Sequence, residues 1–239
     1  MKNIVKHIPN FITSLNIVTG CLACVSALFG AYEWSAYFIL LAAVFDFMDG
    51  FAARLLKAYS PLGKQLDSLA DVISFGVAPA FVLFAFLSQN MGIYWALTAF
   101  VIPVFSALRL AKFNIDERQS SSFLGLPTPA NALFWAFLIY GANNYFAIMS
   151  TDQIRLAKVA VFVLLPLFSF LLVSEIPMFS LKFNSFSLKD NRLRYIFLLS
   201  CIVLLAIFQL LAFPLLILLY ILLSLLHWAY QAIYVKSSN

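Results

Sequence analysis

Residues 46–71 read DFMDGFAARLLKAYSPLGKQLDSLAD, and the fold follows from asking what keeps four aspartates in so lipid-soluble a chain. Asp46 and Asp49 stand three apart, and Asp67 and Asp71 stand four apart. On helices each pair shares a face, so two neighbouring helices turned toward one another make an oxygen-lined cage. An Asp at mid-helix in a bilayer costs roughly 2.5–3.5 kcal/mol, so four cost on the order of 10 kcal/mol unless something compensates them. A bound divalent cation does so. Carboxylates without His or thiolate partners select hard ions, which favours Mg²⁺ or Mn²⁺ and leaves Ca²⁺ open. Four Asp hold either one ion or a close pair.

The rest of the composition sets those acids in a membrane. Of 239 residues, 64% are hydrophobic and 10% charged, against about 25% charged in a soluble domain; the mean hydropathy is +0.97. Apolar runs of about 20 residues recur, the length a helix needs to cross the hydrocarbon, and no β-barrel alternation is present. The fold class is an all-α integral membrane bundle. The opening MKNIVKHIPNFITSLN has a basic start, but its apolar run continues to Trp34 with no small-residue cleavage site, so it reads as a retained first helix. A net charge of +5 comes without a basic cluster interleaved with aromatics, and nucleic acid is not expected as a partner. Cys21, Cys24 and Cys201 include a C-x-x-C spacing that, inside an apolar helix and without a second pair, reads as packing.

Eight spans are expected, at about 11–32, 35–56, 66–88, 93–113, 128–149, 156–176, 194–211 and 213–234. Only Pro214 divides the last two, so seven is the alternative. Before them, residues 2–10 alternate cationic and bulky apolar side chains, as a short amphipathic segment lying along the surface would. With eight spans, every basic residue except Arg155 and Lys158 falls on one face, Lys2, Lys6, Arg118, Lys182, Lys189 and Lys236 included. The positive-inside rule then puts both termini in the cytoplasm and all four acids toward the cytoplasmic leaflet. The chain reads as one membrane domain, 1–239, with residues 1–176 as its core and 194–234 as additional C-terminal spans.

Small and polar residues gather beside the acids. Gly50 and Ala53 share the face of Asp46 and Asp49, Gly63 precedes Asp67 by four, and Arg54 offers a fork suited to phosphate. Close helix packing through small residues is the competing account. Asn10, Thr13 and Asn16 line one side of the first span, either as caps and interhelical hydrogen bonds or as ligand contacts. Glu175 and His227 are polar groups in apolar surroundings without an assigned role. Trp34, Trp95, Trp135 and Trp228 lie mostly near span ends.

Asp46-x2-Asp49-Gly50-x2-Ala53-Arg54-x8-Gly63-x3-Asp67-x3-Asp71 resembles the signature of the CDP-alcohol phosphatidyltransferase family, with every fixed position filled. The resemblance implies an integral membrane enzyme that moves a phosphatidyl group from CDP-diacylglycerol to an alcohol and releases CMP. It implies that Asp46, Asp49, Asp67 and Asp71 bind two divalent ions, Mg²⁺ or Mn²⁺, with Asp71 as general base. Gly50, Ala53 and Arg54 would line the nucleotide and diphosphate site, together with Asn10 and Thr13, and Gly63 would shape the cytidine pocket. It further implies a homodimer.

Four phrases are similar to the branch whose acceptor is L-serine: Pro9-Asn10-x2-Thr13-x2-Asn16, residues 67–79, residues 108–114, and Gly125-Leu126-Pro127-Thr128-Pro129. A serine site wants a cation near the acids, which Arg109 and Lys112 supply, with Asn114 and Ser74 as polar partners. Positive-inside anchoring accounts for both cations nearly as well, and inositol phosphate or glycerol 3-phosphate would also favour them. An ion or proton transporter is the rival from another class, but it would place carboxylates at the midplane and show repeat symmetry, whereas these acids cluster in residues 46–71 alone.

Overall fold

Seven helices and one short two-stranded ladder make up the computed structural model, which describes residues 7–115, 123–146, 148–180, 187 and 191–234. They are α1 (Ile8–Leu28), α2 (Tyr32–Leu55), α3 (Pro61–Asn90), α4 (Ile93–Ile115), α5 (Thr128–Phe146), α6 (Thr151–Val173) and α7 (Arg192–Gln231). Strands β1 (Phe123–Leu124) and β2 (Pro177–Met178) pair antiparallel, Phe123 opposite Met178. The surface is apolar, with Val25, Phe29, Val104, Leu199 and Ile202 facing outward, while Asn16, Ser74, Ser106, Asn131 and Asp49 are buried. That distribution suits lipid as the solvent.

Among the described residues six helices are long and apolar enough to cross a membrane, which corrects the expected eight. Two expected spans fall short. Helix α5 carries Asn131, Asn143 and Asn144 within 19 residues. The segment expected at 194–211 forms a helix only from Arg192 to Phe208, 17 residues or about 26 Å, short of the roughly 30 Å of hydrocarbon. At Gln209, whose φ is +51°, α7 turns through a 3₁₀ segment, Gln209–Ala212, into its second arm, which begins at Phe213. Pro214 has no N–H to continue the ladder. The two arms lie side by side, with the rings of Phe197 and Tyr220 5.9 Å apart.

Local chemistry explains the other boundaries. Helix α3 begins at Pro61 rather than near 66, because Ser60 Oγ accepts from the Gly63 N–H at 2.9 Å and Pro61 sits where a helix tolerates it. Between Val72 and Val77, α3 relaxes into a π-helix in which Ala78 N–H reaches back to Ile73 O, just before Pro79. The proline lacks the donor an α-helical turn would need there. Trp135, expected at an interface, is instead fully buried beside Phe134 and Phe168. The amphipathic segment expected before α1 begins in residues 1–6, outside the described residues, as do Arg118, Lys182, Lys189 and Lys236.

Helices α1, α2 and α3 form the part of the bundle that matters for the site. Ala23, Ala27, Ala36 and Ala42 bring α1 and α2 together, and Ser35 Oγ donates to Ala23 O across them at 3.0 Å. Gly20 lets α1 touch the π segment: a Cβ there would lie 2.3 Å from Ser74 Oγ. Small residues of this kind are how membrane helices gain close packing.

At the same end of the bundle, the chain before α5 crosses the C-terminus of α6. Gly125 has a φ of +75°, and a Cβ there would come within 2.7 Å of Leu172 O. Its N–H donates to Ile176 O at 3.0 Å, and Leu126 N–H donates to Leu171 O at 2.8 Å. Glycine is required here both by the positive φ and by the close carbonyls.

Candidate metal centre

The last turns of α2 and the first turns of α3 bring the acids together. One carboxylate oxygen from each of Asp46, Asp49 and Asp67 lies within 4.8 Å of the others. Asp71, one turn further along α3, is within electrostatic reach of Asp46, Asp67 and Asp49. Its Oδ1 is buried and has no hydrogen-bond partner among the described residues. Among the described residues no Lys or Arg stands within ion-pair distance of any of the four.

Several carboxylates this close, with little water, repel one another and forgo solvation. An all-oxygen donor set with an orphaned buried oxygen fits a hard divalent cation and gives zinc no N or S ligand. Thr13 holds one member in place: its hydroxyl donates to Asp49 Oδ2 at 2.6 Å and also lies 3.0 Å from Pro9 O.

Beside the carboxylates is a cavity of about 290 Å³ whose walls include Asn10, Thr13, Asp49, Gly50, Ala53, Gly63 and Asp67. Nothing lies within 4 Å of where a Gly50 Cβ would be, whereas a Gly63 Cβ would meet Asn10 Oδ1 and Ser60 Oγ at 3.0 Å. Gly50 therefore opens the cavity and Gly63 lets α1 approach the start of α3. Tyr59, Ser60 and Lys64 also line it. Reading the sequence missed them, although Ser60 before Pro61 is a helix-start signal that could have placed it at this rim. Arg54 sits exposed in the last turn of α2 and does not line the cavity.

The residues expected around a serine lie on a second side. Arg109 on α4 is 92% buried, since 8% of it is exposed; its electrostatic neighbours are Asp71 and Tyr220, and its Nε has no hydrogen-bond partner. Tyr220 comes from the second arm of α7 and donates to Phe179 O at 3.1 Å. As one hydroxyl in a leucine-rich run, it carried no sequence signal. Lys112 Nζ is 3.1 Å from Glu175 Oε1. Asn114 Nδ2 donates to Ser68 Oγ at 2.8 Å, and Ser74 Oγ donates to Asn16 O at 2.9 Å, within the α1–α3 contact. His227 is exposed beside Gln231.

Comparison with known proteins follows the same residues. The family profile described as CDP-alcohol phosphatidyltransferase matches residues 6–168, which hold all four acids. This chain belongs to the CDP-alcohol phosphatidyltransferase family. As a member it is a multi-pass membrane protein. Among similar family proteins is the CDP-diacylglycerol–serine O-phosphatidyltransferase of Bacillus subtilis, 35% identical over 138 residues, or 58% of this chain and 78% of the relative. The enzyme of that name from Methanocaldococcus jannaschii is 38% identical over 58% of this chain and 63% of its own. The one from Saccharomyces cerevisiae is 36% identical over 64% and 63%. The chain thus spans less than two thirds of the latter two relatives.

Proposed function

We propose that the protein transfers a phosphatidyl group from CDP-diacylglycerol to the hydroxyl of L-serine, giving phosphatidylserine and CMP. The observation that carries this reading is the meeting of Asp46, Asp49 and Asp67 beside a cavity large enough for a nucleotide's polar part. Family membership and relatives of one printed activity support the donor and the acceptor.

Asp46, Asp49, Asp67 and Asp71 would hold two divalent ions, Mg²⁺ or Mn²⁺. Such ions neutralise the diphosphate and steady the oxygens of an in-line displacement. The chain's own groups do the rest. Asn10, Thr13, Gly50, Ala53 and Gly63 receive the nucleotide, with Arg54 at the edge of the diphosphate's approach. The serine oxygen forms a bond to the phosphatidyl phosphorus as the bond to CMP breaks. Asp71, whose Oδ1 is unpartnered, takes the serine hydroxyl proton. Arg109 and Lys112 face the serine carboxylate, while Asn114 and Ser74 brace the start of α3 and the π segment from behind.

The protein works as a single membrane domain and, by the family resemblance, as a homodimer in the cell's inner membrane. Its site and both termini face the cytoplasm. Support for that side is charge: Arg54, Lys57, Lys64, Arg109, Lys112, Arg192 and Arg194 belong to the helix ends around the site, whereas Arg155 and Lys158 lie near the start of α6, at the other end.

Purified protein given CDP-diacylglycerol and Mg²⁺ or Mn²⁺ should release CMP with serine and far more slowly with inositol phosphate or glycerol 3-phosphate. Equal release with all three would defeat the serine reading. Asp67→Asn and Asp71→Asn should each abolish CMP release in a folded protein, and full activity in either would refute its role.

A further inference from the structure

We infer that Lys112 and Glu175 form the mouth of a second cleft, through which the acceptor reaches Asp71, and that Glu175 receives the acceptor's ammonium group. The inference rests on the proposed serine transfer and adds the route and the residue that distinguishes a zwitterion from a simple anion.

The guanidinium of Arg109 is 92% buried, and its Nε has no hydrogen-bond partner among the described residues. It lines a cleft formed with Lys112, Leu124 and the α6 C-terminus at Leu172, Val173 and Ser174. That cleft shares no lining residue with the larger cavity and is built from different helices. The cleft lies toward the acids because α4 runs along the start of α3: Asn114 Nδ2 donates to Ser68 Oγ at 2.8 Å and a Cβ on Gly76 would lie 3.2 Å from Ser106 Cβ, which sets Arg109, between Ser106 and Asn114, beside the stretch that carries Asp71. In-line displacement needs the attacking and leaving oxygens on opposite sides of phosphorus. With the nucleotide held among α1, α2 and α3, the cleft beside α4 and α6 offers an approach through different helices.

Its chemistry suits a zwitterion. Arg109 at the inner end is a fork for a carboxylate. At the outer end, Glu175 and the carbonyl end of α6 favour a cation, a place now taken by Lys112 Nζ, 3.1 Å from Glu175 Oε1 and 3.5 Å from Val173 O. The cleft holds only about 10 Å³, about one water, and must widen at the ion pair to admit an amino acid. The pair is solvent-accessible, with side chains 42% and 62% exposed, and exposed pairs part readily. An incoming amino acid replaces Lys112 at Glu175 with its own ammonium and brings its carboxylate to Arg109.

The test compares the parent with Glu175→Gln and Glu175→Asp, using the full chain, CDP-diacylglycerol and Mn²⁺. The acceptors are L-serine and 3-hydroxypropionate, which keeps the hydroxyl and carboxylate but lacks the ammonium. Glu175→Gln should raise KM for serine roughly 10- to 100-fold, the loss of one charge-assisted contact, with KM for CDP-diacylglycerol moving less than about twofold. Turnover of 3-hydroxypropionate should be poor in the parent and no poorer in Glu175→Gln, and Glu175→Asp should recover part of the serine KM. An unmoved serine KM, equal losses with both acceptors, or an equal rise in the CDP-diacylglycerol KM would overturn the inference alone. A parent releasing no CMP with serine would overturn the proposed function as well.

Discussion

Replacing Gly20 with Ala tests how the bundle assembles its site. A Cβ at Gly20 would lie 2.3 Å from Ser74 Oγ and 2.9 Å from Ser74 Cα, against an ordinary contact of about 3.5–4.0 Å. Rotating the serine away relieves the first clash but not the second, so α1 must move off the π segment by about 1 Å. It also sacrifices the buried Ser74–Asn16 hydrogen bond of 2.9 Å. Overpacking of this kind costs about 1–3 kcal/mol and the lost bond about 1 kcal/mol more. A total of about 2–4 kcal/mol corresponds to a fall of roughly 4–16 °C in melting temperature for a chain of this size. Because α1 carries Thr13 to Asp49, activity should fall with it. Gly50→Ala is the counterpart: with nothing within 4 Å of its Cβ, it should leave the melting temperature level or raise it, since Ala is the better helix former by about 1 kcal/mol. It should nevertheless weaken CDP-diacylglycerol binding by narrowing the cavity. Thermal unfolding in one detergent, followed by a thiol-reactive dye or intrinsic fluorescence, measures both. A Gly20→Ala protein melting within 1 °C of the parent would show that α1 and the π segment are not in this contact.

Two other substitutions probe the site's supports. Thr13→Val keeps the shape of the side chain and removes the hydroxyl 2.6 Å from Asp49 Oδ2; CMP release at limiting Mn²⁺ should drop about tenfold or more, as hydrogen bonds to charged groups contribute about 1.5–3 kcal/mol, and excess Mn²⁺ should restore much of it. Gly125→Ala should destabilise by about 2 kcal/mol or more through its positive φ and the carbonyls of Leu172, Leu171 and Ser174 within 2.9 Å, read as a lower melting temperature and looser protection of the α6 C-terminus in hydrogen exchange.

How far the sequence could be read depended on whether the signal was local. Asp46 with Asp49 and Asp67 with Asp71 follow from helical spacing, and the cage they form required only that two consecutive helices face one another. Gly63 and Thr13 were legible for the same reason, being within one or two turns of a cap or an acid. The number of spans was not: α5 reads as an apolar run, but its three asparagines lower its hydropathy, and the helix from Arg192 ends at Phe208 because the backbone turns at Gln209. Contacts between distant segments left no trace. Lys112 and Glu175 are 63 positions apart, and Tyr220 donates to Phe179 O across 41 positions. Ser74 looked like a polar partner for substrate, yet Gly20 draws its hydroxyl to the Asn16 carbonyl. Arg54 has the right spacing, but it stands on the exposed side of α2.

Mn²⁺ binding to the purified full chain tests most directly whether carboxylates from α2 and α3 share hard cations. Titrations with the parent, Asp46→Asn and Asp67→Asn should show saturable binding in the parent and at least a tenfold weaker affinity in both variants, although the substitutions lie on different helices. At Mn²⁺ a hundredfold above its dissociation constant, the parent should gain about 2.7 kcal/mol, or roughly 5–11 °C in melting temperature, and the variants much less. Equal Mn²⁺ affinity in all three proteins would contradict the claim.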